Sequence, residues 1–242
     1  FAPQKVCIPN DSKPMLNVNR EVVVYRGTTD DIENAININR NFSNFYKWYK
    51  NPIPPNNRPI YKSAKVYLSE HNKEANFPCI IKQIEEILDY PDHKKEKGII
   101  HVTSFDYQKM ILEQISDKYL CRMECFFPRY AKRPSKDTLK KIREFKTKEK
   151  LLDAHEKSKD PVVILSPSCW FGVDLKSDLG RFQIVTKYPK LPLENVKIKQ
   201  KKQLTYGDDW YDMRTVYKLI QGCGRSVRNV KDRAITYLLD KN

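Results

Sequence analysis

The chain has 242 residues, 40% of them hydrophobic, with 45 Lys and Arg against 30 Asp and Glu, a net charge of +15. That length suits one large domain, or one and a half smaller ones, with enough apolar residues for a real core. The charge excess favours a polyanionic partner, nucleic acid above all, and no apolar run approaches the roughly 20 residues that cross a bilayer.

The start, "FAPQKVCIPND", has no basic segment followed by an apolar stretch, so no signal peptide is expected in it. It also lacks an initiator Met, and a piece of a longer protein is expected. The six cysteines lie at 7, 79, 121, 125, 169 and 223. Only Cys121 and Cys125 are close, and one such pair is not a metal site. Most are expected to be buried, reduced thiols of an intracellular protein.

Taken in chain order, "REVVVYRG" (20–27) reads as a buried strand and 30–50 as an irregular helix. "NPIPPNNRPIYK" (51–62) is too rich in proline for helix or sheet, so an extended connection and a domain boundary are expected there. We expect 1–51 to be the tail of one domain, or a connection, and 52–242 a second domain. From 77 onward strands and helices alternate. "FPCIIKQIEEILDY" (77–90) is an amphipathic helix, "GIIHVTSF" (98–105) a short strand, and "YQKMILEQI" (107–115) a helix. "YLCRMECFF" (119–127) is strand-like and "KDTLKKIREFK" (136–146) a basic helix. "PVVILS" (161–166), "RFQIVTKYP" (181–189) and "RAITYLLD" (233–240) are strands. "DDWYDMRTVYKLIQGCGRSVR" (208–228) reads as one long helix, with Asp208 or Asp209 as N-cap. The charge-rich stretch 132–160 and "KIKQKK" (197–202) read as solvated surface. No repeats occur. Short apolar strands between helices predict an α/β fold, a parallel sheet covered on both faces, with ligands beyond the strands' carboxyl ends.

"QGCGRSVRNVKD" (221–232) holds two of the chain's 7 glycines. On a helical wheel with Gln221 at zero, Arg225 falls at about 40°, Arg228 at about −20° and Gly224 at about −60°. They share a face, while Ile220, Cys223, Val227 and Val230 share another and would pack inward. Two guanidiniums on adjacent turns can reach one phosphate group. Gly224 would admit a ligand or another backbone, at a cost of about 1 kcal/mol relative to alanine. The plain alternative is a basic helix end suited to the dipole. In "VVILSPSCWFGVDL" (162–175) a buried strand opens into small residues, then Gly172 and Asp174. Gly172 permits a left-handed turn, and Asp174 suits a ribose hydroxyl or a loop cap. In "IIHVTSF", Thr103 and Ser104 end a strand and can hold a phosphate or cap the next helix.

In this order these segments resemble motifs IV, V and VI of superfamily-2 helicases of the XPD/DinG type. "GIIHVTS" is similar to motif IV, "SPSCWFGVDLKSDLGRFQIVTKYP" to motif V and its following strand, and "QGCGRSVRNVKDRAITYLLD" to motif VI, Q-x-x-G-R-x-x-R. The resemblance covers about 52–242, nearly all of a second RecA-like motor domain. "GTTDD" (27–31) stands where motif III stands, although Gly27 departs from its pattern.

The resemblance implies roles. Arg228 would be an arginine finger on the γ-phosphate of ATP, with Arg225 and Gln221 facing the triphosphate or its attacking water. Gly172, Asp174 and Gly224 would lie at the nucleotide. Thr103, Ser104, Ser166, Ser168 and Trp170 would hold single-stranded DNA, Trp170 either stacking on a base or standing as a packed loop aromatic, and Lys187 and Tyr188 would line the same channel. A 5′–3′ DNA helicase is implied, cytoplasmic or nucleoid, or nuclear in a eukaryote. The sequence contains no G-x-x-x-x-G-K-[ST] and no acidic DEAH-like motif. ATP and Mg²⁺ would therefore be shared with a first motor domain of the parent protein, as would any iron–sulfur cluster. This chain alone is expected to be inactive. The alternatives are a helicase-like module that binds nucleic acid or protein without a motor, and an inert basic α/β domain.

Overall fold

The computed structural model describes residues 53–69, 71–175, 177–224 and 226–241, together with the backbone of 20–21 and 49–50. Two compact units divide the chain, Phe1–Pro55 and Asn56–Asn242. In the first, strands β1 (Arg20–Glu21) and β2 (Tyr49–Lys50) pair antiparallel, so Tyr49 and Lys50 are strand where helix was expected. The rest of the strand expected over 20–27, most of the helix expected over 30–50, and "GTTDD" lie outside the described residues.

The second unit is a seven-stranded sheet in the order β3-β9-β8-β4-β7-β5-β6, every pair parallel. Its strands are β3 (Ile60–Val66), β4 (Gly98–His101), β5 (Met123–Phe126), β6 (Arg143–Phe145), β7 (Val163–Ser166), β8 (Phe182–Val185) and β9 (Ile235–Asp240). This is the parallel α/β architecture that the strand–helix alternation predicted, as the resemblance to a RecA-like motor domain also implied. The helices are α1 (Lys73–Leu88), α2 (Phe105–Gln114), α3 (Asp117–Leu120), α4 (Lys136–Lys141), α5 (Lys148–Lys157), α6 (Val196–Lys202) and α7 (Gly207–Cys223).

Period-two alternation assigns the central strands' side chains to two faces. Ile100, Val163, Leu165, Phe182 and Ile184 join Ile80, Ile84 and Leu88 of α1 and Ile111 of α2 in the main core. Ile99 and Ile164 face the other way, to Leu151 of α5 and to Val173 and Leu175. Val185 and Leu238 pack with Trp170 and with Leu219 of α7. A sheet buried on both faces explains why these strands read as unbroken apolar runs.

Several expectations give way to the tertiary structure. Past Pro59 the proline-rich stretch joins the sheet: Ile60, Tyr61 and Lys62 open edge strand β3, where missing N–H groups upstream do no harm. Tyr119 and Leu120 belong to a helical turn, and only 123–126 are strand. The basic helix predicted over 136–146 stops at Lys141, and Arg143–Phe145 become edge strand β6. The stretch 132–160 is not merely solvated: Thr147 caps α5, whose Leu151 and His155 are buried. "KIKQKK" is helical, with no buried residue. Helix α7 begins after Tyr206, without a side-chain cap from Asp208 or Asp209, and ends at Cys223 with Gly224 as its C-cap.

The middle of the sheet carries a buried polar pair beneath the end of α7. Gln183 donates from Nε2 to the Cys223 carbonyl at 2.7 Å, which leaves its Oε1 to accept from His101 Nε2 at 3.2 Å. His101 is therefore the neutral Nε2–H tautomer, and its Nδ1 is buried without a partner. Burial pushes its pKa down from 6.5 to about 4, the Gln183 bond opposing only in part. With the folded value below the unfolded one, the unfolded chain takes up the proton first as pH falls. This site's contribution to stability is complete above pH 6.5 and declines toward pH 4, by on the order of 3 kcal/mol in all. An NMR titration of the His101 ring should find it neutral until close to pH 4. A midpoint near the ordinary histidine value would contradict this account.

Candidate functional site

The strand ends gather one group of expected site residues. β4, β7 and β8 run side by side and parallel, so the residues following each leave the sheet at the same edge. Thr103 and Ser104 follow β4. Ser104 caps α2, its Oγ accepting from Tyr107 N at 3.2 Å, and both residues remain half-buried. Ser168 follows β7 and stands with Thr103 and Ser104 around a depression of about 410 Å³. Lys187 and Tyr188 follow β8. Lys187 Nζ donates to Tyr107 Oη at 3.2 Å and lies 5.1 Å from that ring's centre, while Tyr188 N donates to Asp240 Oδ2 at 3.4 Å.

Two members of the expected surface are interior. Ser166 is buried at the end of β7, where its Oγ accepts from Ser168 N at 3.1 Å and pairs with Ser168 Oγ at 2.9 Å. Trp170 is 2% exposed, so its indole offers no face to a base. It donates from Nε1 to the Val102 carbonyl at 2.9 Å and lies 4.6 Å from the His101 ring. In sequence a loop aromatic reads equally as stacking or packed, and here α7 covers it. A Cβ at Gly222 would come within 2.7 Å of Trp170 Cε3, so this glycine's missing side chain is the space that the indole fills.

The glycine–arginine segment also differs from its helical-wheel reading. The helix ends at Cys223, so Gln221 and Arg228 do not share a helical face. Gln221 is exposed on the last turn of α7, Gly224 N bonds to the Ile220 carbonyl at 2.9 Å, and Arg225 lies outside the described residues. Of the apolar set expected inside, Val227 is buried and Cys223 half-buried, whereas Ile220 and Val230 are exposed. Arg228 stands on the loop between α7 and β9, and its Nε donates to Asp174 Oδ1 at 3.1 Å. Both side chains are about half exposed, 44% and 52%. Asp174 thus engages one edge of a guanidinium that has five N–H donors.

The carboxylate that builds this loop escaped sequence reasoning. Asp232 is 3% exposed. Its Oδ2 accepts from the backbone N–H groups of Arg228 (2.9 Å) and Asn229 (3.2 Å) and from Asn229 Nδ2 (2.9 Å). Its Oδ1 accepts from Ser177 Oγ at 3.3 Å. Ser177 holds a left-handed backbone, φ 56°, in the loop that carries Asp174. Burial raises the Asp232 pKa, but these donors outweigh it and hold the carboxyl below its usual range. The N-x-x-D spacing of Asn229 and Asp232, a side-chain-capped turn, was the available signal.

The loop 167–181 is held elsewhere too. Lys148 donates from Nζ to the carbonyls of Ser168 (2.9 Å) and Phe171 (3.0 Å), on either side of buried Trp170. Gly172 follows with φ 69°, in the left-handed region that glycine adopts without strain. Deeper, His155 and Glu124 form a fully buried pair at 2.6 Å, and His155 Nε2 reaches the Leu179 carbonyl at 2.8 Å. Nε2 donates to that carbonyl, which leaves Nδ1 to the Glu124 carboxyl group.

Residues 87–242 match the family described as helicase C-terminal domain. A segment of 101 residues, 39% of the chain, is 33% identical to the ATP-dependent DNA helicase YoaA of Haemophilus influenzae and covers 16% of that protein's length. In fold, the S. tokodaii Xpd4 structure superposes on 75% of this chain and 34% of its own, with TM-score 0.50 and 12% identity. The C-terminal part of the Fun30 ATPase domain aligns over 90% of this chain and 52% of its own, with TM-score 0.37 and 14% identity. The chain therefore spans a minor part of the curated relative it matches.

Two substitutions test this construction. Gly222→Ala should destabilise the protein by about 1–3 kcal/mol, because the clash with the indole exceeds the helical advantage of alanine. Tryptophan emission should shift to the red as Trp170 is displaced; a more stable variant would show that the contact is slack. Asp232→Ala leaves part-buried N–H groups without their acceptor and should cost about 1–3 kcal/mol in urea unfolding. That difference should be present at neutral pH and shrink below the ordinary carboxylate range, where Asp232 becomes protonated in the wild type.

Proposed function

Because the chain belongs to the helicase C-terminal domain family, we propose that it is the second motor half of an ATP-dependent DNA helicase. In this reading it supplies the arginines of an ATP site and a surface for single-stranded DNA. The observation that carries it is Arg228: a half-exposed guanidinium, on a loop built by Asp232, engaged at one edge by Asp174.

The donor set fits a triphosphate. With Asp174 occupying Nε, the terminal nitrogens retain enough N–H groups for a bidentate contact with phosphate oxygens. ATP with Mg²⁺ supplies a γ-phosphoryl group for transfer to water, with charge spreading over its oxygens as it leaves. Arg228 opposes that charge. Gln221, exposed one turn before the C-cap, and Arg225 are assigned to the same group or its attacking water. Asp174 orients Arg228 and is also available to a ribose hydroxyl. Gly172 and Gly224 keep the neighbouring backbone open. The phosphate cradle, the Mg²⁺ ligands and any iron–sulfur cluster belong in this reading to a first motor domain of the parent protein, because this sequence holds no G-x-x-x-x-G-K-[ST].

Single-stranded DNA is assigned to the edge formed by Thr103, Ser104, Ser168, Lys187 and Tyr188. The 5′–3′ direction follows the XPD/DinG resemblance. No described helix is long and apolar enough to cross a membrane, and an intracellular place with the cell's DNA suits the function.

In the full-length protein, Arg228→Ala should lower DNA-stimulated ATP turnover by about 10³-fold or more, with an unchanged melting temperature. Near-normal turnover would refute the arginine's role and favour a binding module without a motor. The 242-residue chain alone should show no turnover; DNA-stimulated hydrolysis abolished by Arg228→Ala would overturn the shared-site reading.

A further inference from the structure

The stacking role expected of Trp170 is vacant, and another aromatic stands beside the same strand ends. Tyr130 lies in the turn after β5, where Ala131 N bonds to the Pro128 carbonyl at 3.0 Å. At 84% it is the most exposed large hydrophobic side chain among the described residues. It is not loose. Phe105, the first residue of α2, meets its ring edge-on with centroids 6.0 Å apart at 80°, and Phe126 of β5 meets Phe105 at 6.3 Å and 82°. Phe105 is itself packed on the main core. This T-shaped series, favoured by aromatic quadrupoles, runs from the sheet to the surface and backs the phenol ring from within.

Its neighbours are those of a polyanion site. Tyr130 and Lys132 line the depression of about 410 Å³ together with Thr103, Ser104, Pro167 and Ser168. Arg129 and Lys132 flank it in sequence, both exposed. Asp106 is the acid of this depression, against a chain that carries +15 overall. A ring available to π-contact, next to hydroxyls and cations, matches the two parts of a nucleotide: a flat base and its phosphate. A protein partner would call for a wider apolar patch, whereas beside Tyr130 the apolar lining residues are Phe105, Ala131 and Pro167 alone.

From this geometry we infer that Tyr130 is a stacking platform for one base of single-stranded nucleic acid, whose adjoining phosphates are held by Lys132 and the Thr103, Ser104 and Ser168 hydroxyls. The inference rests on the single-strand surface proposed above and adds a contact outside the helicase motifs.

The test uses full-length protein and an oligo-dT strand carrying 2-aminopurine. Tyr130→Ala should weaken binding about 5- to 150-fold, while the slope of log affinity against log salt stays the same, because the phosphate contacts remain. Tyr130→Phe should bind as the wild type does. Quenching of 2-aminopurine on binding should persist in Tyr130→Phe and diminish in Tyr130→Ala. Unchanged affinity and quenching in Tyr130→Ala would overturn the proposal and direct the ring to a protein contact. Lys132→Glu separates the two readings. If it weakens binding while Tyr130→Ala does not, only the stacking is wrong. If neither matters, the strand does not cross this edge, and the Arg228 turnover assay still stands by itself.

Discussion

The contact on which the functional part of this fold depends is the indole of Trp170 in the space left by Gly222. A tryptophan buries roughly 150–250 Å², and here that surface is shared by three chain segments. Nε1 satisfies the carbonyl of Val102 just beyond β4, the ring lies against His101, and the last turn of α7 comes close enough only because residue 222 has no Cβ. Once α7 is seated, the Cys223 carbonyl falls within reach of Gln183, and Gln183 then dictates the tautomer of His101. The segments resembling motifs IV, V and VI are distant in sequence. They meet at one buried ring.

From that point the loop 167–181 is fastened along its length. Lys148 binds carbonyls on both sides of Trp170, His155 holds the Leu179 carbonyl, and Ser177 bonds to Asp232. The last of these contacts joins the loop carrying Asp174 to the loop carrying Arg228. The strand-end edge and the arginine are therefore attached to opposite ends of a single braced segment. Its left-handed Ser177, a conformation costing roughly 1–2 kcal/mol for a residue with a side chain, is retained because Asp232 takes its hydroxyl.

Much of this was legible in sequence. Apolar runs such as "VVILS" and "FQIV" could only be strands buried on both faces, and their alternation with amphipathic helices implied the parallel sheet. Thr103, Ser168 and Asp174 were read at strand ends and in the loop beyond them, where they stand. What periodicity misjudged was the end of a helix. The 100° wheel carried α7 through Gly224 to Arg228, because Val227 and Val230 extend the apolar spacing, yet Gly224 closes the helix and Val230 is exposed. The two glycines looked like one feature and have separate tasks, one for packing and one for capping. For Trp170 the sequence left stacking and packing equally open. Whether a loop aromatic is covered depends on a helix about 50 residues away in sequence, and nothing local records it. Nor does local charge density reveal a pair such as Glu124 and His155, since a carboxylate and an imidazole read as surface until tertiary contact buries both.

The early end of α7 alters the physical argument about Arg228. On a helix, its position would follow from backbone hydrogen bonds repeated along every turn. On a loop it depends on whatever fixes that loop, and the Arg228 N–H itself ends on Asp232. A guanidinium can stabilise transferring phosphate charge only if it is already in place, because the benefit of preorganised charge is lost when the group must be reoriented during the reaction. Asp232 supplies the backbone anchor and Asp174 the side-chain anchor, and the two differ in accessibility: one is buried among its donors, the other half exposed beside the guanidinium. A phosphate arriving from solvent can compete with Asp174 for Arg228 but not with Asp232. The side chain is thus free to exchange partners on a backbone that stays where it is, as the role proposed for Arg228, completing a site shared with another domain, would require.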